Sequence, residues 1–169
     1  MQKVQENNVM RIYHGTLQDL DELAEIEKAS YPEAEAASRE SIEKRLKAFG
    51  DCFWILEEDG EIRAFINGMV SEKPDLIDEM YDHAEWHDEK GDWQMIFSVV
   101  TSPKYRKRGY ASIVMKQVIE DARKRNRKGI VLTCKERLIP FYERFGYVNE
   151  GESVSNHGGA IWYQMRLTF

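Results

Sequence analysis

Apolar and polar residues alternate from Val9 to Gly15 ("VMRIYHG"), the two-residue period of a half-buried strand. Thr16 and Asp19 then stand at capping distance, and Leu20, Leu23 and Ile26 recur at helical spacing up to Ala29. In "SYPEAEAAS", Tyr31 precedes Pro32 and is pushed away from helical dihedrals, so a loop follows. Ser38 can open a second helix with Ile42, Leu46 and Phe49 on its apolar side and Gly50 at its end. "CFWILEEDGEIRAFINGMV" predicts a hairpin of two apolar strands about an Asp59-Gly60 turn. Residues 73–92 show no regular period and predict a long loop with some helix.

"WQMIFSVVT" (Trp93 to Thr101) is rich in β-branched and aromatic residues and predicts a buried strand. After "SPKYRKRGYASIV" a helix carries Val114, Val118 and Ala122 in one row, Met115 and Ile119 in the next, and closes near "RKRNRKG". "GIVLTC" predicts another short buried strand. "LIPFYERFG" predicts a short helix, with Pro140 in its first turn and Gly146 past its end. "YVNEGESV" and "AIWYQMRLTF" supply two final strands. The order is strand, two helices, three strands, helix, strand, helix, two strands. It predicts one mixed α/β (α+β) domain over residues 1–169, with about seven strands and four helices.

Composition narrows the class. The chain is 42% apolar and 32% charged with four prolines, which suits a packed domain rather than a disordered one. Its 24 Lys and Arg against 30 Asp and Glu leave a net charge of −6, which argues against a nucleic-acid partner, since that needs a broad basic face. No stretch approaches the roughly 20 apolar residues of a membrane span, so no membrane association is expected and a cytoplasmic location is. Cys52 and Cys134 are too few and too far apart for a disulfide framework.

Against this acidic background, "SPKYRKRGYASIV" concentrates Lys104, Arg106, Lys107 and Arg108 before Gly109. A strand, a turn and a helix start in succession aim free N–H groups and the positive end of the helix dipole at one spot, a seat for phosphate. Gly109 permits close backbone approach, and Ala111 is small for the same steric reason. The stretch lacks the Gly-Lys-Ser/Thr ending of a P-loop and the three glycines of a dinucleotide fingerprint. "VVTSPKY" followed by Arg106-Lys107-Arg108-Gly109-Tyr110-Ala111 resembles the coenzyme A pyrophosphate loop of the GNAT superfamily of acetyltransferases.

The resemblance extends to "TCKERLIPFYERFGY" (Thr133 to Tyr147), similar to the GNAT segment whose helix brings a tyrosine to the coenzyme A sulfur. "YPEAEAASRESIEKRL" (Tyr31 to Leu46) resembles non-vertebrate arylalkylamine and polyamine N-acetyltransferases. It implies a GNAT-like domain with a mixed central sheet, and acetyl-CoA as co-substrate with no metal. The acetyl group would go to the primary amine of a small molecule, in a monomer or homodimer. It also implies a cofactor site at Val99, Val100, Thr101, Arg106, Lys107, Arg108, Gly109, Tyr110, Ala111 and Ser112, and Tyr142 and Glu35 as catalytic residues.

The chemistry calls for a proton acceptor, a carboxylate or a water chain, and for a proton donor. Alkylamines titrate near the lysine value of about 10.4, so a group must take the ammonium proton before attack. The related insect enzymes place a glutamate where Glu35 stands, with Glu33 as a second choice. His83 and His87, four residues apart, are further candidates, because the vertebrate enzymes' paired strand histidines correspond here to Met95 and Phe97. Tyr142 would protonate the leaving thiolate. The acidic segment from Asp75 to Asp92, with Tyr81 and Trp86, could attract and stack a cationic amine. A protein or peptide N-acetyltransferase and a non-catalytic acyl-CoA-binding module remain alternatives.

Overall fold

The computed structural model describes residues 9–169; residues 1–8, where the sequence shows no apolar run, lie outside the described residues. Strand β1 (Met10–Tyr13) leads to Thr16, whose backbone N–H donates to Asp19 at 2.9 Å while its hydroxyl accepts from the Gln18 N–H, the reciprocal cap that the spacing predicts. One tight turn follows, then α1 (Leu20–Ser30), a loop, and α2 (Arg39–Phe49) capped by the Ser38 hydroxyl. Next come β2 (Phe53–Glu58), β3 (Glu61–Asn67) and β4 (Val70–Ser71). The acidic segment holds only two short 3-10 turns before β5 (Trp93–Ile96) and β6 (Ser98–Thr101). The chain closes with α3 (Tyr110–Lys124), β7 (Gly129–Cys134), α4 (Ile139–Glu143), β8 (Val148–Glu152) and β9 (Tyr163–Thr168).

The strand expected over Trp93 to Thr101 is two strands divided at Phe97. Its first half pairs in parallel with β7 (Ile96 opposite Leu132), and its second half pairs antiparallel with β3 (Val99 opposite Ile66). The nine short strands among the described residues therefore form two sheets, ordered β1-β2-β3-β6 and β4-β5-β7-β9-β8, rather than one sheet of about seven. The Met95 N–H donates to the Met69 carbonyl and the Phe97 N–H to the Asn67 carbonyl, so the β3–β4 connection bridges the division. At that crossing a Cβ on Gly68 would stand 1.7 Å from the Met95 carbonyl oxygen, and only glycine fits. Beyond Phe97, β6 and β7 part and leave a cleft.

The core lies between the sheets and their helices. Leu20, Leu23 and Ile26 of α1, Ile42, Leu46 and Phe49 of α2, and Val114, Met115, Val118 and Ala122 of α3 are all buried. Phe53 through Leu56 on β2 are buried without alternation, the pattern of a strand covered on both faces. Trp54 donates its indole N–H to Asp121 at 2.8 Å, tying this strand to α3. Among the described residues no helix is long and apolar enough to cross a membrane.

Candidate active site

The basic turn begins where β6 ends. A single 3-10 turn (Pro103–Tyr105) intervenes, then Lys107 and Gly109 both take left-handed dihedrals (φ 63° and 82°) before α3 starts. Alternating handedness of this kind turns successive N–H groups toward one concavity, in front of a fifteen-residue helix that adds its dipole. Arg106, Lys107 and Arg108 are exposed and join no ion pair among the described residues, whereas Lys104 is drawn to Glu61. No protein atom lies within 4 Å of where a Gly109 Cβ would be. The turn thus offers N–H groups, uncommitted cations and space, which is what a pyrophosphate requires. Tyr110 is the exception: its hydroxyl donates to Glu58 at 2.8 Å and accepts from Arg63, so only its backbone is left for a ligand. Ala111 and Ser112 are half-buried in the first turn of α3.

At its other end β6 forms one wall of a cavity of about 590 Å³. Ser98 and Val99 line it on one side and Leu132, Thr133 and Cys134 of β7 on the other, so it fills the cleft between the diverging strands. The Val99 carbonyl accepts the Tyr31 hydroxyl at 2.9 Å, while the Val100 side chain is turned into the core. The Ser30 hydroxyl approaches the Thr101 carbonyl at 3.5 Å. A ligand lying along β6 would have one end at the basic turn and the other among these residues.

Tyr142, on α4, lines the cavity and is 5% exposed. Burial, with Cys134 nearby, pushes its phenol well above the usual tyrosine range, so it remains a proton donor throughout the neutral range. Cys134 is itself pushed up to about 11 by burial, and Cys52 to about 12; both are free thiols.

Glu35 stands at the same cavity. Its side chain is 5% exposed, and Lys135 Nζ lies 2.6 Å from Oε1, an ion contact set off the hydrogen-bonding angle. The Glu35 carbonyl meets His157 Nε2 at 2.9 Å, and the Trp162 indole donates to the His157 carbonyl. The α1–α2 loop and the β8–β9 loop therefore touch and roof the cavity, with His157 stacked on Tyr81. Glu33 is exposed and does not line the cavity.

The structure does not bring the two other histidines to the site. His83 stacks on Trp86 at 4.3 Å and contacts Glu85; His87 accepts the Val70 N–H and contacts Glu89 at 2.6 Å. Neither lines the cavity, because local partners hold both rings elsewhere. Most of the acidic segment is committed too. Asp75 pairs with Arg166, Asp78 accepts from Ser155 and Asn156, Glu89 pairs with Arg127, and Asp92 with Lys128. Of that segment only Tyr81 and Asp82 reach the cavity, and Trp86 lies outside it.

Two cavity residues carry charge that the sequence did not bring forward. Glu27 is 1% exposed and Arg45 3% exposed. Arg45 donates to the Tyr81 carbonyl at 3.2 Å and Asn67 Oδ1 at 3.4 Å, and its guanidinium sits 4.8 Å from the Phe97 ring. Glu27 Oε1 and Arg45 Nε have no hydrogen-bond partner. Burial raises the Glu27 carboxyl above the usual carboxylate range, opposed in part by Ser98, Arg45 and the Ala37 N–H; burial likewise lowers Arg45.

A divided central strand, a left-handed glycine before a long helix and a buried tyrosine across the cleft agree with the sequence comparison. The family model described as "Acetyltransferase (GNAT) family" matches residues 20–147. The chain belongs to the GNAT acetyltransferase family. No curated protein matches this sequence. Solved GNAT structures share the fold at low identity. A GphF GNAT-like decarboxylase in complex with isobutyryl-CoA is 20% identical at a TM-score of 0.80, covering 94% of this chain and 98% of its own. The ribosomal-protein-S18-alanine N-acetyltransferase from Escherichia coli is 16% identical at 0.69, covering 95% and 94%. A GNAT family acetyltransferase from Brucella melitensis in complex with acetyl-CoA is 15% identical at 0.62, covering 96% and 90%.

Proposed function

We propose that this GNAT protein transfers the acetyl group of acetyl-CoA directly to the primary amine of a small molecule, an arylalkylamine or polyamine, in the cytoplasm. The roof carries the choice of a small acceptor. The Glu35 carbonyl to His157 contact at 2.9 Å, with Gly158 packed on the Glu35 side chain, bridges two loops over the cavity, which favours a small acceptor over an extended polypeptide. The phosphates take the seat at Arg106 to Gly109, and the acyl arm follows the Val99 edge of β6, where a backbone N–H polarises the thioester oxygen. Tyr142 protonates the departing sulfur. Glu35, expected from the resemblance to take the amine proton, lines the acceptor end in contact with Lys135.

The test is thiol release from acetyl-CoA with a panel containing tyramine, tryptamine, spermidine and an alanine-led peptide. Acceleration by one or more of the small amines and none by the peptide is expected. Acceleration by the peptide alone would make the protein a peptide acetyltransferase. Acetyl-CoA binding with a flat response to every amine would leave an acyl-CoA-binding module.

A further inference from the structure

We propose that Glu27, not Glu35, accepts the proton the substrate amine must lose, through the carboxylate oxygen it holds uncommitted at the floor of the cavity. The assignment rests on the acetyl-transfer function proposed above. Glu27 occupies the last turn of α1, is 1% exposed and lines the cavity, yet its Oε1 has no hydrogen-bond partner. A buried carboxylate oxygen left bare is costly to a folded protein, and a donor such as an ammonium N–H satisfies it. Glu35 is differently placed. Its Oε1 is already 2.6 Å from the Lys135 ammonium, and receiving a proton there means dismantling that contact.

The groups facing Glu27 come from every neighbouring element. Arg45 approaches from α2, the Ser98 hydroxyl from β6, the Ala37 N–H from the α1–α2 loop and His157 from the β8–β9 loop; the Tyr31 and Tyr81 phenols are also near. No ion pair joins Glu27 to Arg45 among the described residues; the arginine is spent on Asn67 and the Tyr81 carbonyl, at a distance where it favours the charged carboxylate without covering it. Desolvation outweighs these groups and makes the carboxylate a stronger base than a solvated one, which is the direction a general base needs.

The proton balance is simple. Glu27 takes one proton from R–NH3+ and becomes a carboxylic acid that later releases it to solvent. The freed nitrogen lone pair forms the N–C bond at the thioester carbonyl. As the C–S bond breaks, Tyr142 gives its proton to sulfur and recovers the second nitrogen proton. The products are R–NH–CO–CH3, coenzyme A thiol and one proton in solution.

The test compares Glu27→Gln with Glu35→Gln, using acetyl-CoA and an amine accepted by the wild type. Glu27→Gln should lower kcat near neutral pH by about 10²–10⁴-fold, recover as rising pH supplies neutral amine, and bind acetyl-CoA as the wild type does. Glu35→Gln should lose less than about tenfold in kcat. A wild-type rate and pH profile for Glu27→Gln, or the larger loss in Glu35→Gln, overturns the assignment. Carboxyl 13C NMR of glutamate-labelled wild type, assigned with Glu27→Asp, decides even if the glutamine variant misfolds or the wild type acetylates no amine. Glu27 should then protonate at a pH above the ordinary carboxylate range, and an ordinary midpoint overturns the proposal. A failed amine panel with a raised Glu27 midpoint would refute the proposed function alone.

Discussion

Replacing Gly109 with alanine separates the phosphate seat from simple helix capping. Gly109 holds φ at 82°, and an added Cβ meets no protein atom within 4 Å. The variant therefore carries only the left-handed backbone penalty, about 1–2 kcal/mol, with no clash inside the protein. In a chain of this size each kcal/mol moves Tm by about 2–4 °C, so unfolding of the free protein should drop by about 2–8 °C. Affinity is a separate quantity. The methyl would enter the open space at the start of α3, where the proposed pyrophosphate seat lies. The Kd for acetyl-CoA should rise at least tenfold, about 1.4 kcal/mol. Acetyl-pantetheine lacks the pyrophosphate and should bind as before. Calorimetric titration with both ligands, beside thermal unfolding, reads all three quantities. A lowered Tm with an acetyl-CoA Kd inside twofold of wild type would refute the seat and leave Gly109 as a cap. Equal losses for both ligands would mean that the cleft itself had shifted. Gly109→Asn is the control, because asparagine tolerates the left-handed region better than alanine while still placing a Cβ there.

Tyr142→Phe should lower kcat by about 10²–10⁴-fold with acetyl-CoA affinity unchanged. Because burial raises this phenol, the wild-type rate should not fall through loss of the acid until the pH exceeds the ordinary tyrosine value of about 10; a wild-type kcat in Tyr142→Phe would remove it as the acid, and an alkaline fall below pH 9 that disappears in the variant would contradict the raised phenol. Gly68→Ala tests the strand division. Its Cβ would overlap the Met95 carbonyl at 1.7 Å, so a loss of about 3 kcal/mol or more is expected, read as a Tm fall of about 6 °C or greater. A Tm within 2 °C of wild type would show that the β3–β4 crossing can open freely.

The elements legible in the sequence are those that local chemistry determines. Asp59 and Gly60 both take positive φ (54° and 76°), as an Asp-Gly hairpin turn needs, and nothing distant alters that. The apolar rows of α1, α2 and α3 are buried as their spacing predicts, with Ile119 only half-covered. The division at Phe97 was not legible. "WQMIFSVVT" is apolar from end to end, and a strand's partners are chosen by backbone pairing, so its side chains do not announce where β7 yields to β3. The acidic segment was legible only in part, for a related reason: Tyr81 and Asp82 reach the cavity and the rest does not. Composition counts carboxylates but not their partners, and Arg166, Arg127 and Lys128 all stand far along the chain from theirs, without a sequence pattern to mark them as engaged.

The basic turn and Tyr142 could be proposed from sequence because their signals are contiguous. Glu27 and Arg45 carry a different signal, which helical spacing alone holds. Glu27 lies seven residues after Leu20 and four after Leu23, on the buried row of α1; Arg45 lies three after Ile42 and four before Phe49, on the buried row of α2. A charge on an apolar row is rarely tolerated without a partner or a purpose. Here two opposite charges on adjacent helices reach one cavity, and each keeps a polar atom unmatched. Interior helix packing alone would favour covering both charges fully, since a bare buried polar atom destabilises the fold. Their retention at the cavity floor, opposite a buried proton donor, is what an acceptor site needs for a group that arrives charged and must leave neutral.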